Sequence, residues 1–386
     1  MDRLIVTKYK GGVLSFLMKD GRGVQLLFSA EKPGSRLGEI RRARVINVNP
    51  NIRAAFVCLD GTQMAFLPYA EGDAPKPQQE ITVQVTQEAV KTKLPAVSRQ
   101  LTLPGRYLVL TMDCPGLRFS HKLSDRSALE PLLREILEAS PAQDGFIVRT
   151  NAPHAAPEEL RAEAWALLAE AEKIHVRAEH SLCFERLYTP QEAFCVLLRD
   201  LPAGEAQEAV TDDPALYEAL RRFAEEELPS LSVRFYEDAQ LPLSKLYSLE
   251  TEVEKALAER VWLPSGAYLL IEPTETMTVV DVNTGKTELH RSFEETVERV
   301  NREAAAELMR QIRLRNIGGM ILTDFINMKS EEAKAGLIAY LRELAAKDPV
   351  LTQVVDMTGL GLVEITRRSL LPPFREQMKN AAPEAL

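Results

Sequence analysis

At 386 residues, 45% hydrophobic and 27% charged, the chain is long enough for two or more domains with ordinary apolar cores. A formal net charge of -9 excludes bulk attraction to nucleic acid and leaves that task to local basic clusters. Cys58, Cys114, Cys183 and Cys195 lack C-x-x-C spacing, so neither a zinc site nor a disulfide framework is predicted. No stretch approaches the roughly 20 apolar residues of a membrane span. The opening Met1-Asp2-Arg3-Leu4-Ile5-Val6 carries an acid at once and lacks a signal peptide's apolar core. A cytoplasmic protein with reduced thiols is therefore expected.

Residues 1–36 read as strands, with Asp20-Gly21 as the turn between Val13-Leu14-Ser15-Phe16-Leu17 and Val24-Gln25-Leu26-Leu27-Phe28. Residues 37–101 continue as short, evenly spaced strands punctuated by Asn49-Pro50-Asn51, Asp60-Gly61 and Gly72-Asp73, which predicts a small barrel. From 102 to about 190 strands mix with helices over Ser127 to Ala139 and Pro157 to Ala178. An acidic helix follows near Pro214 to Glu227. In the last third, Tyr268 to Glu272 and Met277 to Asp281 flank a hairpin turn at Pro273-Thr274-Glu275-Thr276. Ser292 with Glu295 reads as a capping box opening a helix to about Arg315, stopped by Gly318-Gly319. A strand ending at Asp324, a helix from Ser330 to about Lys347 and a strand over Thr352 to Asp356 complete an α/β layer. Lys379 to Leu386 reads as a loose tail.

Two aspartates stand where apolar runs give way to polar residues: Asp281, in Thr278-Val279-Val280-Asp281-Val282-Asn283, and Asp324, in Ile321-Leu322-Thr323-Asp324. The intervening helix returns the chain to the same sheet edge, so the two can sit side by side. Two carboxylates with an amide, Asn283, suit a magnesium ion that keeps most of its waters and takes phosphate oxygens. An acid at a strand end also serves simply as a turn former or helix cap, and pattern alone leaves both readings open.

Phe56 and Phe66, in the barrel segment, stack bases if exposed and are core residues if not. Lys91, Lys93, Arg99 and Arg106 place positive charge nearby in sequence, as a solvated face also would. Arg149-Thr150, at a strand end, pairs a guanidinium fork with a hydroxyl suited to a terminal phosphate. The five histidines are scattered without metal-ligand spacing, and no P-loop, H-E-x-x-H or G-x-S-x-G is present.

Longer motifs carry a resemblance. Leu263-Pro264-Ser265-Gly266, Thr274 through Lys286, Asn301-Arg302-Glu303-Ala304-Ala305, Arg310 through Gly319 and Leu360 through Arg367 resemble the catalytic region of the ribonuclease E/G family of bacterial endoribonucleases. Weaker similarity reaches back to the N-terminus. The resemblance implies an α+β multidomain fold. Its parts are an RNase H-like subdomain from 1–36 and 190–256, an inserted S1-type OB barrel at 37–101, a 5′-sensor region at 102–189, a DNase I-like catalytic subdomain at 257–376 and a tail at 377–386.

It further implies magnesium-dependent hydrolysis of single-stranded RNA in rRNA processing or mRNA decay, leaving 5′-phosphate and 3′-hydroxyl ends, with Mn2+ able to substitute. Asp281 and Asp324 become the metal-binding aspartates, and Asn283 the assisting amide. Phe56, Phe66 and Lys93 fall on RNA-contacting barrel positions. Gly105, Val109, Arg149 and Thr150 fall on a 5′-monophosphate pocket, to which His121 belongs in place of the family's arginine. Leu351 likewise replaces an arginine, and leucine donates nothing to phosphate. The family's C-P-x-C zinc motif is missing beyond Arg367-Arg368-Ser369, so zinc is not expected and any homo-oligomer should form without a zinc link. A non-catalytic RNA-binding scaffold of the same fold is the competing reading, and intact Asp281 and Asp324 count against it.

Overall fold

The computed structural model describes residues 2–30, 37–88, 94–120, 123, 129–140, 143–202, 204–285, 293–369 and 371–379. The chain divides into two units, 1–31 with 204–386, and 32–203. It is a mixed α/β architecture of several sheets and one closed barrel. Among the described residues no helix is long and apolar enough to cross a membrane.

The first unit begins with β1 (Arg3–Tyr9), β2 (Gly12–Lys19) and β3 (Arg22–Ala30), an antiparallel meander. Both of its turns, Lys10-Gly11 and Asp20-Gly21, have positive φ at each central residue, the geometry that matches the twist of the flanking strands. Asp20-Gly21 was legible for that reason.

The second unit follows. Five strands, β4 (Ile40–Asn49), β5 (Ala54–Cys58), β6 (Met64–Pro68), β7 (Glu80–Gln87) and β8 (Ala96–Ser98), pair in the order β4-β5-β6-β8-β7. An antiparallel β7–β4 ladder closes the barrel. Its interior is filled by alternate small and β-branched residues, among them Ala43, Val45, Ala55, Val57, Ala65 and Val83. A second sheet carries β9 (Thr102–Pro104), β10 (Leu108–Thr111), β11 (Gly116–Phe119) and β12 (Gly145–Val148), in the order β11-β12-β10-β9. Helices α1 (Leu129–Ala139) and α2 (Pro157–His180) cover it, burying Leu133, Ile136, Leu160 and Ala164 against Leu108, Phe146 and Val148. β13 (Arg186–Tyr188) pairs with β4, and α3 (Ala193–Asp200) ends the unit.

Returning to the first unit, β14 (Glu208–Thr211) pairs in parallel with β1, so residues near the N-terminus and residues past 204 share one sheet. α4 (Pro214–Glu227), β15 (Ser232–Phe235), α5 (Leu243–Leu246) and α6 (Leu249–Leu257) complete that part. A mixed six-stranded sheet comes next: β16 (Arg260–Trp262), β17 (Tyr268–Pro273), β18 (Met277–Asn283), β19 (Gly319–Asp324), β20 (Thr352–Met357) and β21 (Leu362–Arg367). Its order is β16-β17-β18-β19-β21-β20. Helices α7 (Phe293–Leu314) and α8 (Glu331–Ala346) bury Val300, Leu308, Ile312, Leu337 and Leu341 on one face of it, and α9 (Phe374–Lys379) packs on β3. Burial of each such side chain contributes about 1.5–3 kcal/mol.

Two expectations change. The chain's last strand, β21, enters between β19 and β20, so the Thr352 strand does not adjoin the Asp324 strand as a plain α/β layer would have it. α7 is ended by Asn316 rather than by Gly318-Gly319. Asn316 takes the left-handed conformation (φ 50°), and the Ile317 N–H donates back to Ile312 O at 2.9 Å. The proposed Ser292 cap lies outside the described residues. Arg315 then ties α7 to α6, donating to Gln311 Oε1 (2.6 Å), Ala258 O (2.6 Å) and Lys255 O (3.2 Å). Burial pushes its guanidinium down to about 10, still protonated at neutral pH.

Candidate active site

In β18, Thr278, Val280 and Val282 point into the core, which leaves Met277, Val279, Asp281 and Asn283 on the opposite face. The aspartate is therefore the open-face partner of an alternating strand and breaks no apolar run. β19 runs parallel to β18 with Met277 opposite Met320 and, four residues on, Asp281 opposite Asp324. Neighbouring parallel strands in register place side chains on the same face about 4.8 Å apart at the backbone. The two aspartates thus lie side by side near the carboxyl ends of both strands. Asp281 is half-buried and Asp324 exposed. Asn283 Nδ2 donates to Asp281 Oδ2 at 2.5 Å.

Two carboxylates whose mutual repulsion a cation relieves, one already held by an amide, form a hard-oxygen donor set that fits magnesium or manganese. Gly285 follows immediately in the left-handed region (φ 55°), where an added Cβ would collide with the Gly266 carbonyl oxygen. That close approach accounts for glycine at 285, and Gly266 itself takes a left-handed φ of 85°.

The residue that positions Asp324 carried no assigned role in the sequence. Asn301, fully buried on α7, donates from Nδ2 to Ile326 O (2.8 Å) and accepts from Ile326 N–H at Oδ1 (3.0 Å), pinning the backbone two residues beyond Asp324. Its position inside the quoted Asn301–Ala305 motif was the available signal. Asn301→Ala is expected to cost about 2–3 kcal/mol in urea unfolding. It should also lower turnover roughly tenfold through the loosened Asp324 end, an estimate from typical supporting-residue losses.

In the barrel, Phe56 and Phe66 face each other across β5–β6 with ring centroids 6.1 Å apart, edge to face. Both are half-buried, while their neighbours Ala55, Val57, Ala65 and Leu67 fill the interior. They therefore lie on the barrel's outer side. Lys91 and Lys93 lie outside the described residues. Of the other two cations nearby in sequence, Arg99 pairs with Asp73 (2.7 Å) and Arg106 is buried.

Of the residues expected to bind a 5′-phosphate, Gly105, Val109 and Arg149 come together around one loop. Arg149 Nη1 donates to Gly105 O (2.6 Å), and Val109 lies between Pro104 and Ile147 of the neighbouring strands. Thr150 is exposed beside Arg149; His121 lies outside the described residues. Arg149 Nη2 also pairs with Asp200 (2.9 Å), and the Gly105 N–H is used by Leu108 O (2.8 Å). Glu163 accepts from the N–H groups of Arg106, Tyr107 and Leu108 at 2.8–2.9 Å, filling the backbone donors of this loop. Burial pushes its carboxyl above the usual range, against the pull of those three bonds.

One histidine does join a metal-competent cluster, contrary to the spacing argument. Asp113, Asp144 and His175 present ligand atoms within 4.8 Å of one another. Asp144 is buried, accepts from Asp113 N–H (2.9 Å), and has its carboxyl pushed upward by burial. The three come from separate elements, so no spacing rule could see them.

The fold and site define an α/β protein with paired strand-end carboxylates on the open face of a mixed sheet. A family model described as Ribonuclease E/G family matches residues 102–370. Ribonuclease G of Escherichia coli (strain K12) is 32% identical over 369 residues, covering 90% of this chain and 76% of that protein. Ribonuclease G of Haemophilus influenzae is 31% identical over 358 residues, covering 86% and 72%. Ribonuclease E of Synechocystis sp. is 30% identical over 403 aligned residues, covering all of this chain and 59% of that protein. The chain belongs to the ribonuclease E/G family.

Proposed function

We propose that the chain is a magnesium-dependent endoribonuclease that hydrolyses single-stranded RNA by water attack, leaving 5′-phosphate and 3′-hydroxyl ends, in rRNA processing or mRNA decay in the cytoplasm. The observation that carries this reading is the Asp281–Asp324 register, with Asn283 bonded to Asp281. Asp281 and Asp324 hold the ion through their carboxylate oxygens, and Asn283 keeps Asp281 in one rotamer. Magnesium, or manganese in its place, supplies charge neutralisation at the scissile phosphate and acidifies the attacking water. The open sheet face admits the RNA backbone to the carboxylates, and Asn301 holds the Asp324 strand end against displacement.

Residues 1–36 and 190–256 are assigned to an RNase H-like subdomain, 37–101 to an S1-type OB barrel, 102–189 to the 5′-sensor region and 257–376 to a DNase I-like catalytic subdomain. The barrel assignment is supported by the closed β4-β5-β6-β8-β7 order and its parallel β6–β8 pair. Phe56 and Phe66, half-exposed on the barrel's outer side, stack bases, with Lys93 on the backbone. Incubation with matched single-stranded RNA and DNA oligonucleotides, with Mg2+ or with EDTA, tests the activity. RNA cut only with the metal is expected, and equal cutting of DNA, or cutting in EDTA, would overturn the assignment.

Gly105, Val109, Arg149 and Thr150, and from the sequence His121, are assigned to binding a 5′-monophosphate, with a weak preference because Asp200 competes for Arg149. Asp200→Asn removes that competitor. It should raise the ratio of cleavage on 5′-monophosphate over 5′-hydroxyl RNA several-fold, by about one charge-assisted hydrogen bond. An unchanged ratio would remove the pocket's role in sensing.

A further inference from the structure

The face that carries Asp281 and Asp324 continues across β17 to β16. Arg260, Leu270, Asp281 and Asp324 lie in one register row across four strands, and Trp262, Tyr268 and Asn283 form the next row. Trp262 is 61% exposed, a large apolar area to leave in water. Its ring centroid is 5.2 Å from that of Tyr268, tilted by 60°. The Arg260 guanidinium lies 4.6 Å from the Tyr268 centroid and 5.7 Å from that of Trp262. Among the described residues Arg260 makes no ion pair. β16 is two strands from β18, about 10 Å away.

We infer that Arg260, Trp262 and Tyr268 form a stacking platform for one nucleobase of the RNA lying across the Asp281–Asp324 site. This deepens the reading given under Proposed function and rests on it. An exposed indole beside a guanidinium with no ion pair among the described residues is a donor set that binds single-stranded nucleic acid, in which the ring takes the base face and the arginine the adjoining phosphate. Because Trp262 shares its row with Asn283, and Arg260 shares its row with Asp281, a base stacked there sets which phosphodiester lies over the carboxylates. The platform is a positioning device, and every base has a face to stack, so it registers the strand without reading its sequence. A second copy of the chain is the competing occupant; the cation on the rings and the row shared with the carboxylates favour RNA.

The chain has two tryptophans, and Trp165 lies on α2 in the other unit. In Trp165→Phe, Trp262 becomes the sole reporter. With Asp281→Asn added to prevent cutting, titration with a single-stranded RNA oligonucleotide should quench its emission saturably. Trp262→Ala should weaken binding roughly 5- to 100-fold. Trp262→Phe should keep it within about threefold, and in the cutting-competent chain the loss should fall on KM and on the choice of cut position more than on kcat. RNA bound with Trp262 emission unchanged, and as tightly by Trp262→Ala, overturns the platform while leaving the ribonuclease reading intact. No binding or cutting of RNA by the parent chain overturns both. Quenching that follows protein concentration without RNA, with a dimer in sedimentation, assigns the face to a second copy and overturns the proposal.

Discussion

Asp281→Asn and Asp324→Asn are each expected to lower kcat for RNA cleavage by about 100-fold or more, the scale on which removing one electrostatic stabiliser of a reacting phosphate acts. Asparagine keeps the size of the side chain and one oxygen, but removes the charge that holds a divalent ion. The Mg2+ concentration needed for residual activity should rise. Stability should move the other way. Asp281 and Asp324 are neighbours in register, and neutralising either one relieves their repulsion. Thermal unfolding in metal-free buffer should therefore be unchanged or slightly raised. An inactive variant with a lowered melting point would report damage to the fold, and cleavage at the parent rate by either variant would remove the pair from the mechanism. Asn283→Ala should show a smaller loss, roughly 10-fold, because it orients Asp281 from outside the donor pair.

Arg367→Met is expected to be the most destabilising single change in the six-stranded sheet that carries Asp281 and Asp324, about 3–5 kcal/mol. Its side chain is 1% exposed and that of Asp348 4%, and the two meet through Arg367 Nε and Asp348 Oδ2 at 2.8 Å. Arg367 Nη1 also donates to Asn316 Oδ1 (3.2 Å) and Ile317 O (3.1 Å), the turn from which β19 departs. Thr352 Oγ1 adds a bond to Asp348 at 2.9 Å. Removing the arginine leaves a carboxylate buried without its cation and frees the start of the Asp324 strand. The melting temperature should fall by about 10 °C. The double variant Arg367→Met with Asp348→Leu should recover much of the loss, since two apolar groups replace a buried pair far more cheaply than one orphaned charge. A double variant no more stable than Arg367→Met would show that the Asn316 and Ile317 bonds carry the effect.

The pairing of Asp281 with Asp324 was legible because each step is local. An alternating strand, an amphipathic helix long enough to return and a second strand leave few ways to bring the chain back to the sheet. The family motifs were legible as strings, yet the work of their members was not. Asn301 and Arg367 sit inside quoted motifs, but their partners Ile326 and Asp348 are 25 and 19 residues away. Sequence proximity did not report exposure or pairing: Arg106 is buried, and Arg149 is shared with Asp200. The cluster of Asp113, Asp144 and His175 left no trace at all.

By itself the sequence determined most of the elements, the family and the pairing of two strand-end carboxylates, because periodicity, turn residues and motif strings act over a few neighbouring positions. Only the tertiary structure decided which charges are available, which side of the barrel Phe56 and Phe66 occupy, and where β21 enters the sheet. It alone set Arg260 and Trp262 in the rows of Asp281 and Asn283. Those outcomes depend on register between strands distant in the chain, where a shift of one residue would turn every side chain to the other face.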